Sequence, residues 1–193
     1  NITLGAVSLI SGQTLTLDSS NAGGGNLSVA SITGVAGEDV TLESGSGTIS
    51  VSGAIETGIG TLTLQEDNAG ATGSASLAGS VTANTLTTFS RGYDVSMTGG
   101  GTITTATTFN NTGTTQFGDA SADTIAFNGG VTANSGAITA AGTISSTNDN
   151  ITLGAVTLVS GQNLTLDSSN AGGGNLSIAS ITGVAGGSNE DVT

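Results

Sequence analysis

Residues 1–37 read NITLGAVSLISGQTLTLDSSNAGGGNLSVASITGVAG, and residues 150–186 read NITLGAVTLVSGQNLTLDSSNAGGGNLSIASITGVAG. Four positions differ across the 149-residue offset: Ser8/Thr157, Ile10/Val159, Thr14/Asn163 and Val29/Ile178. Each exchange keeps its character, apolar for apolar or small polar for small polar. Inside the repeated stretch the local pattern is an alternation with period two, as in Ile2-Thr-Leu4, Leu15-Thr-Leu17 and Leu27-Ser-Val29. Alternation places the apolar side chains on one face of a strand and the hydroxyl on the other. Glycine, Asn, Asp and Ser bound each run, and these are the residues that turn a backbone.

The same short runs continue through the rest of the chain, at Val40-Thr-Leu42, Ile49-Ser-Val51, Leu62-Thr-Leu64, Val95-Ser-Met97 and Ile125-Ala-Phe127. Helical spacing of apolar residues is absent throughout. Taking Leu15, Val40, Leu62, Leu86, Thr108, Ile138 and Leu164 as marks, the pattern recurs at intervals of a few tens of residues. Periods of that length indicate a solenoid. The expected fold is all-β: a right-handed parallel β-helix (β-solenoid) with coils of about 22–29 residues and about six coils per 149-residue super-repeat. Residues 1–193 form one continuous segment, with residues 1–149 as one super-repeat and residues 150–193 as the start of the next. Glycine at the corners is expected to supply positive φ. The absence of proline keeps every ladder donor. The stretch Thr102–Ala141 is less regular and carries Phe109, Phe117 and Phe127, which predicts wider coils with bulkier filling.

Composition restricts function. The chain has fourteen acidic residues against one base, Arg91, with no His and no Cys, and a formal charge of −13. Phosphate backbones are bound by Lys and Arg, so nucleic acid is excluded as a partner, and an anionic membrane surface is excluded on the same ground. No segment approaches the length of a membrane-spanning apolar run. Thiolate metal sites are impossible without Cys.

Tandem x-L-T-L-x and G-N-L-S-V-A strands with Gly, Asn and Ser corners resemble the β-solenoid repeat regions of giant bacterial surface proteins. The nearest class is the filamentous-haemagglutinin-like and autotransporter-passenger-like adhesins. The resemblance covers the whole chain in style and matches no functional residue one by one. It implies a secreted, rod-like protein at the bacterial cell surface.

The candidate chemistry is sparse. The acid pairs Glu38-Asp39, Glu66-Asp67 and Glu190-Asp191 sit on corners, and neighbours in a strand point to opposite faces. They therefore do not form the facing carboxylates of a glycosidase. No catalytic, cofactor-binding or metal-binding residue is assigned, and the chain is read as not an enzyme. The corners Asp18-Ser-Ser-Asn21 and Gln65-Glu-Asp-Asn68, with Asp167 repeating Asp18, offer at most a weak Ca²⁺ site. GGG at 23–25 and 99–101 is followed by no Lys or helix and is no phosphate loop. The N-x-[ST] tripeptides at Asn1, Asn26, Asn150, Asn163 and Asn175 read as turn and strand residues. Thr14-Leu-Thr16, Thr61-Leu-Thr63, Thr85-Leu-Thr87 and Thr102-Ile-Thr104 place Thr outward in pairs, the arrangement an ice-binding solenoid would use.

The leading expectation is a structural segment of an extracellular fibre, filament or adhesin stalk, acting as a rigid spacer. Its partners would be itself, end to end or laterally, or the continuation of the same array. The alternative is a glycan- or cell-binding surface, although Tyr93 is the sole Tyr and Trp is absent. An ice-binding solenoid and a β-helical polysaccharide-active enzyme rank below these.

Overall fold

The computed structural model describes residues 1–21, 23–65, 70–168, 172–184 and 190–193. Within them the chain is all strand and turn. Every strand pairing is parallel. The molecule is a parallel β-solenoid of about eight turns.

The pairing register defines three faces. On the first, the inward positions stack in the order Ile2, Leu27, Ile49, Ala75, Val95, Thr115, Ile138, Val156, Ile181. On the second they run Val7, Ile32, Ile55, Val81, Gly101, Ile125, Ile144, Leu166. On the third, Leu15, Val40, Leu62 and Leu86 form one file. Thr107, Val131, Ile151 and Leu176 form its continuation. The two halves of the third face meet where Asn110 N donates to Thr88 Oγ1 at 2.8 Å.

Adjacent residues of the first file are separated by 18 residues (Ile138 to Val156) at the least and 26 (Ile49 to Ala75) at the most. Five of the eight steps fall within the 22–29 expected, and the steps Ala75–Val95, Val95–Thr115 and Ile138–Val156 are shorter, at 20, 20 and 18 residues. The marks Leu15, Val40, Leu62 and Leu86 share one face as expected, but Ile138 lies on the first face and Leu164 on the second. The chain shortens its coils after Leu86, and a fixed stride slides off the face.

The super-repeat therefore returns out of phase. Ile2 is on the first face, whereas its copy Ile151 is on the third. Val7 is on the second face and its copy Val156 on the first. Leu15 is on the third face and its copy Leu164 on the second. The 149-residue unit spans six coils and two further faces, so each copy is turned by a third of a revolution about the rod.

The interior is aliphatic, with Leu27, Ile32, Leu42, Ile49, Ile55, Leu62 and Leu64 fully buried. Thr102–Ala141 departs from expectation. Its coils are not widened: the steps inside it, Thr107 to Val131 and Thr115 to Ile138, are 24 and 23 residues, against 25 and 26 for Ile2 to Leu27 and Ile49 to Ala75. Phe109, Phe117 and Phe127 come one from each face and meet edge to face, with ring centroids 5.0, 5.9 and 5.7 Å apart. The coil above offers Ala133 over Phe109 and Ala140 over Phe117. A bulky layer fits a narrow prism because a small layer follows it.

Corner glycines serve two purposes. Gly100 and Gly101 have φ of 73° and 132°, the positive values expected. Gly53, Gly79 and Gly99 instead stack in consecutive coils so closely that a Cβ on Gly79 would overlap the backbone of Gly53.

Candidate functional site

Most of the Asn residues and paired acids singled out in the sequence bond backbone N–H groups between or within coils. A recurrent device uses the Asn or Asp that precedes the first inward residue of a strand. Its side-chain oxygen accepts the backbone N–H of the equivalent residue one coil on. Asn1 receives Asn26 N at 2.7 Å, Asn26 receives Thr48 N at 3.1 Å, and Asp39 receives Thr61 N at 2.7 Å. Asp94 receives Thr114 N at 2.6 Å, Asn150 receives Asn175 N at 2.9 Å, and Asn163 receives Asp191 N at 3.1 Å. A corner N–H that no ladder reaches thus still has an acceptor. Of the N-x-[ST] asparagines, Asn1, Asn26, Asn150 and Asn163 take part through their side chains and Asn175 through its N–H.

The paired acids divide the same labour. Glu38 is almost fully buried; its Oε2 accepts Val35 N at 2.6 Å and Ala36 N at 2.8 Å, and its Oε1 accepts Gly12 N at 3.2 Å. These N–H groups, Val35 first, hold its carboxyl below the usual glutamate range. Asp39, its neighbour, caps the next coil as above. In the second copy, Glu190 Oε1 accepts Gly161 N at 3.0 Å, the same contact as Glu38 to Gly12. It does so although Gly187-Ser188-Asn189 is inserted before it. Glu66-Asp67, the Glu66–Asn68 part of the second proposed Ca²⁺ corner, and the insertion itself lie outside the described residues.

Asp18 Oδ1 accepts both the hydroxyl and the N–H of Ser20, and these lower its pKa, the hydroxyl most. Asp18 and Gln65 fall in one corner file, with Glu43 between them. Gln65 is buried and spans the turn below it, its Oε1 accepting Ser44 N and Gly45 N at 3.0 and 3.1 Å. Among the described residues no three acidic side chains converge as metal ligands would. Arg91 Nη1 donates to Ser90 O at 3.0 Å.

Tyr93 is the one aromatic residue that the sequence offered to a ligand. It is wholly buried: its hydroxyl donates to Leu64 O at 3.2 Å and accepts Phe89 N at 3.0 Å. Burial pushes its phenol above the ordinary tyrosine value. The threonine pairs are brought only partly together. Thr61 and Thr63 lie in register with Thr85 and Thr87. Thr16 joins that column through Thr41, but Asp39 occupies the second column at that level, and Thr102 is on a different face, beside Thr82.

One surface feature has no counterpart among the sequence motifs. On the outer side of the first face, Ser74, Asp94 and Thr114 stand in one column and Ser76, Ser96 and Gln116 in another. Between them runs an open groove of about 370 Å³, floored by Ala75 and Val95. Ser96 Oγ lies 3.4 Å from Gln116 Oε1, and Gln116 Nε2 donates to Gly118 O at 3.3 Å. The hydroxyls of Ser76 and Thr114 bond no protein group among the described residues. The signal was present only as S-x-S, D-x-S and T-x-Q tripeptides, whose alignment depends on two successive 20-residue steps (Ala75 to Val95 to Thr115). Comparison of the chain with protein-family models, with curated proteins and with solved structures finds no match.

Proposed function

We propose that this chain is a rigid structural segment of an extracellular fibre or adhesin stalk. The observation that carries the reading is the unbroken parallel stacking of one file of strands from Ile2 to Ile181, over a sealed aliphatic and aromatic core. Stacked coils contact only their neighbours, so stiffness and stability accumulate along the axis. The polar residues support this: the Asx oxygens and Glu38 are engaged with backbone N–H groups between or within coils, which strengthens the stack and leaves them committed. The resemblance to surface-protein repeats points to the cell exterior as the setting.

The test is a distance. The chain has no Cys, so paired labels can be placed freely. Ser28 and Thr157 are outward positions on the first face, six coils apart. Spin labels on S28C/T157C should report a single narrow distribution centred near 29 Å, six coils at about 4.8 Å each. A broad distribution, or one that shifts with temperature well below unfolding, would remove the rigid-spacer reading.

A further inference from the structure

Of the fifteen Asn residues, Asn128 alone precedes a glycine. An asparagine side chain can be attacked at Cγ by the backbone nitrogen of the residue that follows it, and glycine, with no Cβ, leaves that nitrogen open. Along the rod the stacking of coils closes this route. The nitrogens that follow Asn1, Asn150 and Asn163 donate across coils: Ile2 N to Asn26 O at 2.9 Å, Ile151 N to Asn175 O at 3.0 Å and Leu164 N to Asp191 O at 2.9 Å. Thr112 N, after Asn111, is held by Arg91 O at 2.7 Å. Asn128 and Gly129 instead form the turn after Phe127, closed by Gly130 N donating to Phe127 O at 2.8 Å. Gly129 N donates to no protein group among the described residues.

The coil above holds the electrophile. Thr147 N donates to Asn128 O at 3.3 Å, and Thr147 Oγ1 donates to Asn128 Oδ1 at 3.4 Å. The hydroxyl therefore stands where negative charge develops on Oδ1 once Cγ is attacked. Asn128 Nδ2, the leaving group, bonds no protein group among the described residues, and the residue is half-buried at a corner, within reach of water. The stack also fixes the nucleophile as glycine: a Cβ at Gly129 would overlap the backbone of Thr105 and Ala106 one coil below. Asn134, followed by Ser135 and exposed, is the internal comparison.

We propose that Asn128–Gly129 is a self-modification site, at which Gly129 N closes onto Asn128 Cγ with the Thr147 hydroxyl as donor to the oxyanion. Gly129 N loses its proton to solvent, the N–Cγ bond forms, and Nδ2 departs as ammonia. Water then opens the cyclic imide. Breaking the N–Cγ bond leaves an aspartate; breaking the bond to the main-chain carbonyl leaves an isoaspartate, with the chain routed through the side chain. No oxidant or reductant is needed. Either product adds a negative charge. The isoaspartate also adds a main-chain carbon between Phe127 and Val131, which the turn must absorb to keep Val131 in register with Thr107 and Ile151. This chemistry is independent of the spacer role.

In the experiment the folded chain is held at mildly alkaline pH, sampled over time and digested on the N-terminal side of aspartate, which releases residues 123–148 with Asn128 and Asn134 together. Mass spectrometry then follows the exchange of amide for acid. The expected result is conversion of Asn128 ahead of every other Asn, to a mixture of aspartate, newly cut by the protease, and isoaspartate, left uncut. Thr147→Val, at an exposed position, should slow the conversion roughly two- to tenfold in the folded chain, and Thr147→Ser should restore it. Amide spectra check the fold of each variant, and Thr147→Ala replaces the valine if that disturbs it. In denaturant the parent and the valine variant should convert at one rate, because Thr147 meets Asn128 only in the fold. Persistence of Asn128 while Asn134 or another Asn converts overturns the proposal. So does a product without isoaspartate, a folded Thr147→Val that converts as fast as the parent, or a slowing that survives in denaturant.

Discussion

Replacing Phe117 by Ala tests whether the aromatic layer holds the middle of the rod. Phe117 is fully buried and meets Phe109 and Phe127 edge to face at 5.0 and 5.7 Å. Removing a buried ring costs about 3–5 kcal/mol through lost transfer energy and the cavity left behind. Each edge-to-face contact adds about 0.5–1.5 kcal/mol beyond burial. Relaxation into the hole is limited by neighbours along the file: Ala140 above is too short to fill it, whereas Met97 below is flexible and can swing partly in. That places F117A near the lower end, about 3 kcal/mol. A solenoid unfolds in neighbour-coupled units, so a single global value is the wrong observable. Native-state hydrogen exchange resolves it by position. Protection should fall by about 3 kcal/mol at Val95–Met97, Thr115–Phe117 and Ile138–Ala140, and by much less at Leu27–Val29. The double change F117A/F127A should fall short of the sum of the singles by about 0.5–1.5 kcal/mol. A loss under about 1 kcal/mol at the triad, or one equal along the whole rod, would refute the reasoning.

Three further outcomes follow from the corners and the core. The Glu38 carboxyl is held below its ordinary range in the fold. Its contribution is therefore present above the usual glutamate value of about 4.3 and lost as pH falls through the lower folded value. The amides of Gly12, Val35 and Ala36 should shift together along that titration; movement at or above the ordinary value would contradict it. Tyr93 is raised by burial, so its stabilisation is intact below about 10 and lost as pH rises further. The single Tyr should show a phenolate titration coincident with loss of β structure, and Tyr93→Phe should cost about 1–3 kcal/mol by leaving Leu64 O and Phe89 N short of a partner. Gly79→Ala drives a methyl into the backbone of Gly53, and its destabilisation should exceed about 1 kcal/mol, well beyond Gly5→Ala, where no atom lies within 4 Å; equal thermal shifts would show that the coil can slide apart.

The strands were legible because an alternation such as Leu15-Thr-Leu17 carries its own burial pattern, and the register of Leu15 on Val40 and Leu17 on Leu42 keeps those apolar positions on one face. Coil phase was not legible. A corner of Gly, Asn and Ser has no length signal, so the drop from a 26-residue step at Ile49–Ala75 to a 20-residue step at Ala75–Val95 leaves no trace in pattern. The middle coils were misjudged for a related reason: three Phe residues read as extra volume, and only the register shows Ala133 and Ala140 compensating one layer up. The Asx device had a signal, an Asn or Asp directly before an x-T-x or x-S-x run. Its meaning needed the partner 20 to 28 residues on. The groove needed lateral alignment of three coils.

The out-of-phase return of the repeat bears on what the rod has to preserve. Ile2 stacks beneath Leu27 on the first face, while Ile151 is held between Val131 and Leu176 on the third. The same strand sequence therefore works on two faces of the prism, because each face asks only for apolar residues inward and small hydroxyls outward at period two. Corner length is equally free, since Glu190 reaches Gly161 as Glu38 reaches Gly12 despite three added residues. A site assembled from one face would be carried off that face by a third of a turn at each copy. The feature that survives such a turn is the stack itself, which supports the proposed reading of the chain as a rigid rod.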